Sequence, residues 1–316
     1  MTMQIHKGLS GFDQPRGTVV TSGTFDGVHF GHSRILKRTC ALAQEHGLDT
    51  VVLTFWPHPR TVVGGPKPPV RLLSTLEEKA ALLEKMGIDH LVILPFDKSF
   101  SEKSTIDYVQ EVLINGLNTK HLVIGYDHRF GKNREGSFSF LKDRESEFGF
   151  VVEEISRQEV DDVAVSSTKI RKALATGDVR TANNYLGYAY HLTGIVVKGK
   201  QLGRTLGYPT ANLQVMEKSK LIPQDGVYAV TVSFDCGTYQ GMLNIGSRPT
   251  VGVGLAQTVE VHIFDFQREV YGEEMSVDFQ GFIRHECKFA GLPELKQQLA
   301  DDERMVKAFF EAEYNS

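Results

Sequence analysis

The sequence has 316 residues, 41% apolar and 23% charged, with 35 lysines and arginines against 39 aspartates and glutamates for a net charge of −4. This profile fits a folded chain long enough for two ordinary domains and excludes a disordered chain or one whose field would favour nucleic acid or an anionic membrane. Three cysteines, Cys40, Cys236 and Cys287, lie far apart without Cys-x-x-Cys spacing, which excludes a disulfide framework or zinc site and predicts reduced core thiols. No stretch approaches the roughly 20 apolar residues of a membrane span and the N-terminal residues show no apolar signal core, so a cytoplasmic protein is expected.

Apolar strand candidates alternate with helices up to about residue 185: Val19-Val20, Val51 to Phe55, Leu91 to Leu94, His121 to Ile124 and Phe150 to Ile155. This pattern predicts an α/β, doubly wound, mostly parallel sheet with ligands at the carboxyl ends of its strands. Between the first strand and a helix ending at Gly47 lies Gly23-Thr24-Phe25-Asp26-Gly27-Val28-His29-Phe30-Gly31-His32. Its glycines let the backbone approach a ligand, and the helix start places free N–H groups and two imidazoles around one anion, a layout suited to phosphate transfer. Thr54 to Arg60, containing Pro57 and His58, follows the second strand, and Gly64 to Pro69 breaks both periodicities and reads as a surface loop, with a mobile lid as the sharper alternative. Ser74-x-x-Glu77 has the spacing of a capping box for a helix ending at Gly87, and Ile106, Val109 and Leu113 repeat a helical face before Gly116. Gly125 to Gly131 follows the fourth strand, where Asp127 can accept a hydrogen bond from a ring N–H or imide. After the fifth strand, Ser166-Ser167-Thr168-Lys169-Ile170-Arg171 opens a second helix whose hydroxyls, amides and guanidinium suit a polyphosphate.

From His191 the rhythm changes to short alternating segments, Val227 to Phe234, Tyr239 to Ile245 and Thr258 to Phe264, which predict an antiparallel β-barrel. The expected division is 1–185 and 186–316. Gly194 to Gln201 nearly spells a P-loop but ends in Gln201 where a magnesium-binding hydroxyl is required. Gly203-Arg204-Thr205-Leu206-Gly207-Tyr208-Pro209-Thr210-Ala211-Asn212 is the better phosphate loop: Gly203 and Gly207 bend the chain, Arg204 adds charge, and Thr210 and Asn212 offer oxygen ligands for Mg2+. In Val259-Glu260-Val261-His262, Glu260 faces away from the valines and is the candidate general base, with the wet face of a strand as the plain alternative. Leu292 to Tyr314, with Leu295, Leu299, Val306 and Phe309 among charges, predicts one long amphipathic helix packed on the barrel.

The first decapeptide and the Ser-Ser-Thr-x-Ile-Arg run resemble the two signatures of the flavin-nucleotide branch of the nucleotidyltransferases. Gly-x-x-x-Gly-x-Pro-Thr-Ala-Asn, Asn244-Ile245-Gly246-x-Arg248-Pro249-Thr250 and Val259 to His262 resemble riboflavin kinase, so nearly the whole chain resembles the bifunctional bacterial riboflavin kinase and FMN adenylyltransferase family. The resemblance implies that the barrel phosphorylates riboflavin with ATP and that the first domain adenylylates FMN to FAD, both with Mg2+. Gly23, Phe25, Asp26, Gly27, Ser167, Thr168 and Arg171 would bind ATP beside the catalytic His29 and His32. Pro57, His58 and Asp127 would bind flavin, although His128 stands where a phenylalanine is expected. Gly203, Arg204, Gly207, Thr210 and Asn212 would hold Mg-ATP for Glu260, and flavin-dependent apoproteins would be possible recipients of the product. The rival expectations are one working domain or a flavin or ATP sensor without turnover. A cytidylyltransferase or pantetheine-phosphate adenylyltransferase relative would leave the barrel unexplained.

Overall fold

The structure is a computed structural model that describes residues 2–63, 70–156, 165–199, 202–249 and 255–314. The expected loop over 64–69, Gln201 and Thr250 lie outside the described residues. By contacts the chain divides into two compact units, Met1–Ser167 and Thr168–Ser316.

In the first unit, β1 (Gln4–Lys7), β2 (Thr18–Ser22), β3 (Asp49–Trp56), β4 (His90–Pro95), β5 (Thr119–Gly125) and β6 (Val151–Ile155) form one sheet in the order β1-β4-β3-β2-β5-β6. Every pairing in it is parallel. The β-branched runs fit this sheet because both of its faces are covered. Val20, Val51 and Leu53 pack with Tyr108 and Leu113 on one side, while Val52 and Leu91 pack with Leu36 and Leu83 on the other. From β2 the chain builds outward through β3 and β4, then returns to add β5 and β6 on the opposite side. The order therefore reverses between β2 and β5, and a crevice opens at the carboxyl ends of such a pair.

Two local expectations change. The capping box of helix Leu76–Lys85 is Thr75 with Glu78, one residue later than Ser74 with Glu77: Glu78 N donates to Thr75 Oγ1 at 3.2 Å and Thr75 N to Glu78 Oε2 at 2.9 Å. Ser74 is instead engaged at long range, accepting from Gly27 N at 3.0 Å. The periodic run ending before Gly116 is a short α-turn, Thr105–Asp107, that widens into a π-helix at Tyr108–Ile114.

In the second unit, β7 (His191–Val197), β8 (Ala211–Gln214), β9 (Gly226–Phe234), β10 (Gly237–Pro249), β11 (Leu255–Ile263) and β12 (Glu274–Arg284) close into an antiparallel barrel in the order β10-β11-β8-β7-β12-β9. The near-P-loop residues Gly194 to Val197 thus lie in β7. Helix Leu292–Tyr314 covers one side, with Val306 in a cluster with Ala229, Met242 and Phe264. It is anchored by Arg284, whose Nε and Nη2 each donate to the Asp302 carboxylate at 2.6 Å. Helix Val179–Leu186 is fastened to β12 by Asn183, which donates to Phe279 O at 2.8 Å. Of the three cysteines, only Cys40 is half-buried; Cys236, in the Asp235–Cys236 hairpin turn, and Cys287 are exposed, so the expectation of core thiols fails for these two.

Candidate active sites

The first site grows from the end of β2. Gly23 N donates to Leu53 O at 3.0 Å, and the chain then makes a tight turn in which Phe25 and Val28 take φ of 44° and 36°, beside Gly27 at 80°. Positive φ at a β-branched valine is strained backbone, of the order of 1–3 kcal/mol, and it persists only where the surroundings impose it. Here the Asp26 carboxylate, 2% exposed, accepts from Leu73 N at 2.9 Å and Ser74 N at 3.2 Å, while Ser74 Oγ holds the Gly27 amide. Phe25 and Val28 pack with Leu36, Ala80 and Leu83. Asp26 is therefore a structural clamp of this turn.

The turn delivers His29 as N-cap of helix Phe30–His46, and it stacks His29 on His32 with ring centroids 3.7 Å apart and 15° between planes. The first turn of this helix carries no acidic residue. Burial, then the neighbouring His29 and Lys79, push the His32 pKa well below its ordinary value, and its Nδ1 has no hydrogen-bond partner among the described residues. Two imidazoles this close cannot both be cationic, and with His32 held neutral the stack offers N–H donors at a positive helix end.

The structure places the other expected residues of this site as follows. Ser167 Oγ donates to Asp26 O at 3.2 Å, tying the start of helix Ser167–Ala175 to the turn, with Thr168 exposed and Arg171 half-buried in the next turn. Pro57 is exposed and His58 buried just beyond β3, where His58 Nδ1 accepts from Arg60 N at 3.1 Å. Asp127 is exposed in the turn after β5, closed by His128 N to Gly125 O at 3.0 Å. Since β3, β2 and β5 are neighbours, these segments share one sheet end. Burial lowers the His128 pKa to about 4, so this ring is neutral and aromatic in character where phenylalanine was expected.

The segments at the carboxyl ends of β3 and β5 suggest an aromatic wall for a flat ring through Phe55 and Phe130, but sequence reading missed that Phe96, Phe100 and Tyr108 extend it into a file on the other sheet face. Phe55, Phe96 and Phe100 lie 5.6–5.7 Å apart by centroid, and Tyr108 and Phe130 are 5.2 Å apart. Tyr108, at the start of the π-helix, meets Ser22 Oγ at 3.0 Å through its hydroxyl, and burial pushes its pKa up to about 12. A π-turn beside a strand end is a frequent marker of function.

The second site lies on the barrel. A compact turn follows helix Leu202–Thr205, with Tyr208 N to Gly203 O at 2.8 Å and Gly207 at φ 90°, and a Cβ at Gly203 would collide with Tyr208 O. Arg204 is exposed and Thr210 half-buried. Asn212, second residue of β8, pairs in register with Glu260 of β11, which pairs in turn with Asn244 of β10. Directly paired residues project to the same face. Val259 and Val261 fill the barrel, so the row Asn212, Glu260, Asn244 lies on its outer surface. A Cβ on Gly199 would collide with the Asn212 side chain, and Asn244 Nδ2 donates to Glu286 Oε1 at 3.4 Å. His262, two residues beyond Glu260, contacts Pro209 O through Nδ1 at 2.8 Å. A cavity of about 530 Å³ adjoins it, bounded by Tyr208, His262, Phe264, Phe266, Lys296 and Lys307. The Thr210 hydroxyl and the Asn212 carbonyl are oxygen donors of the kind a hard divalent cation takes. Among the described residues no three His, Cys, Asp or Glu side chains cluster as a metal site, so such a cation would rely on neutral oxygens and substrate phosphates.

Comparison with known proteins matches both halves. The FAD synthetase family model matches residues 12–169 and the riboflavin kinase model residues 186–310. A bifunctional riboflavin kinase/FMN adenylyltransferase of Haemophilus influenzae is 40% identical over 98% of this chain and 99% of its own. The protein of that description from Escherichia coli K12 is 36% identical over 98% of both chains. A solved Streptococcus pneumoniae chain described as a macrolide-efflux protein matches with a TM-score of 0.86 at 30% identity, over 97% of this chain and 99% of its own. Among the described residues of the present chain no helix is long and apolar enough to cross a membrane. Two family models in tandem and full-length relatives that carry both descriptions lead to one conclusion: this chain belongs to the bifunctional riboflavin kinase/FMN adenylyltransferase family.

Proposed function

We propose that the barrel transfers the γ-phosphate of ATP to riboflavin, giving FMN and ADP, and that the N-terminal sheet transfers AMP from a second ATP to FMN, giving FAD and pyrophosphate. The observation that carries the division of labour is the register match of Glu260 with Asn212, which sets a carboxylate beside a candidate phosphate ligand on a strand face of the barrel. The chemistry asks for this asymmetry. The riboflavin primary alcohol keeps its proton at neutral pH, so its attack needs a base: Glu260 takes that proton as the new O–P bond forms and ADP leaves. The FMN phosphate is already an anion, so its attack on the α-phosphate needs positioning and charge stabilisation, which His29, His32 and the helix start supply as pyrophosphate departs.

Gly203, Arg204 and Gly207 shape the phosphate turn of the barrel, and Thr210 with Asn212 would hold Mg2+ against the nucleotide. When bound, that ion would neutralise the phosphate oxygens. The cavity beside Tyr208 takes the base of the same ATP. In the sheet domain, Gly23, Phe25, Asp26 and Gly27 form the α-phosphate turn, while Ser167, Thr168 and Arg171 take the leaving phosphates. Pro57, His58 and Asp127 meet the flavin. The functional boundary is proposed at 185/186, with apoproteins receiving FAD in the cytoplasm. Incubation with riboflavin and Mg-ATP, followed by chromatography over time, tests the scheme: FMN should appear first and then convert to FAD. Binding without turnover would establish a sensor instead.

A further inference from the structure

Behind the histidine stack lies a buried cation that the reactions above leave without a task. Lys79 follows two glutamates on helix Leu76–Lys85 and reads as solvated, yet it is 4% exposed on the face that also buries Ala80 and Leu83. Its Nζ donates to Thr54 Oγ1 at 3.4 Å, at the carboxyl end of β3, and Thr54 Oγ1 donates to Thr24 O of the histidine turn at 3.4 Å. That is a long contact for an ammonium with three donors. Burial lowers the Lys79 pKa to about 8 while the nearby Asp26 charge opposes the drop. Asp26 Oδ1 is already engaged by two backbone amides, and Glu78 is turned to the cap at Thr75 N. A buried ammonium is costly, and a leucine or methionine would suit this helix face better. His32, held neutral, meanwhile brings a donor but no net charge to the phosphate.

We propose that Lys79 is a positioning residue for adenylyl transfer, a fixed positive charge behind the His29/His32 stack that acts on the reacting phosphate through the two imidazoles. The proposal rests on assigning that stack to adenylyl transfer. A cation beside His32 disfavours a second one, so His32 meets ATP as a neutral N–H donor, and the field of Lys79 reaches the phosphate through a poorly screened interior. The charged and titratable groups that act on this cation are the Asp26 carboxylate of the turn and the His32 ring of the first helix, with Glu78 the buried residue before it on its own helix.

The test measures kcat/KM for Mg-ATP against pH in the full chain, with FMN supplied for FAD formation and riboflavin supplied for FMN formation, because this ratio reports groups of the free enzyme. FAD formation is expected to decline on an alkaline limb near pH 8 as Lys79 loses its proton. Lys79→Met should lower FAD formation about 10- to 100-fold, remove that limb and move the acid limb to higher pH, while FMN formation is unchanged. Lys79→Arg carries a charge that does not titrate, so it should retain FAD formation above pH 8 without the limb, and it decides the matter if the methionine variant does not fold. An alkaline limb that survives in either folded variant overturns the proposal. His32→Ala with FAD formation intact would instead remove the assignment beneath it.

Discussion

The two sites solve related problems with opposite materials. The sheet site is a buried turn at a helix start, strained at Phe25 and Val28, clamped by Asp26 and lined by stacked His29 and His32. The barrel site is an open row of half-buried polar side chains, one from each of three adjacent strands. The contrast teaches that the nucleophile decides the architecture. An anionic phosphate needs its target preorganised and its charge offset, whereas an alcohol needs a base within reach, which a strand face can present without a deep pocket.

The largest effect that could break this contrast comes from Glu260→Gln. It should lower FMN formation by about 10²- to 10⁴-fold and leave FAD formation from supplied FMN untouched, measured as separate half-reactions; equal losses would end the division of labour. The mirror experiment, His29→Ala or His32→Ala, should cost about 10²- to 10³-fold in FAD formation with FMN formation preserved. Next comes the anchor of the barrel helix. Asp302→Ala removes the buried carboxylate that holds the half-buried Arg284 guanidinium and should destabilise the second unit by about 1–3 kcal/mol in denaturant unfolding. Asp26→Ala leaves two backbone amides unsatisfied and should cost about 1–3 kcal/mol, with a larger fractional loss of FAD than of FMN formation. The smallest effect is at Arg38 and Glu153, joined at 2.5 and 2.8 Å but 40% and 36% exposed, where a double-mutant cycle should give at most about 1 kcal/mol.

Periodicity made much of this architecture legible. The five β-branched runs identify the buried parallel strands because a sheet covered on both faces demands continuous apolar sequence. Leu292 to Tyr314 reads as the helix it is because its apolar stripe meets the barrel. β1 escaped because Gln4–Lys7 is a four-residue edge strand, exposed along most of its length, with no apolar run to announce it. The capping box slipped by one residue because Ser74 and Thr75 each precede a glutamate by three, and only the distant Gly27 amide decides between them. Lys79 was invisible because its cost is set by what folds over it, which a Glu-Glu-Lys run does not disclose. Tyr108 joins Phe55 and Phe100 across more than 50 positions of sequence, so no local window contains that aromatic file. The row Asn212, Glu260, Asn244 likewise depends on strand register, which three separate motifs cannot specify.

The close approach of Gly199 to Asn212 has a practical side. A single added methyl group, Gly199→Ala, would displace the Asn212 amide from beside Glu260 while every polar group of the row stays chemically intact. One small substitution in the barrel would thus favour a chain that makes FAD chiefly when fed FMN, a convenient separation tool for anyone who wishes to meter the two cofactors independently.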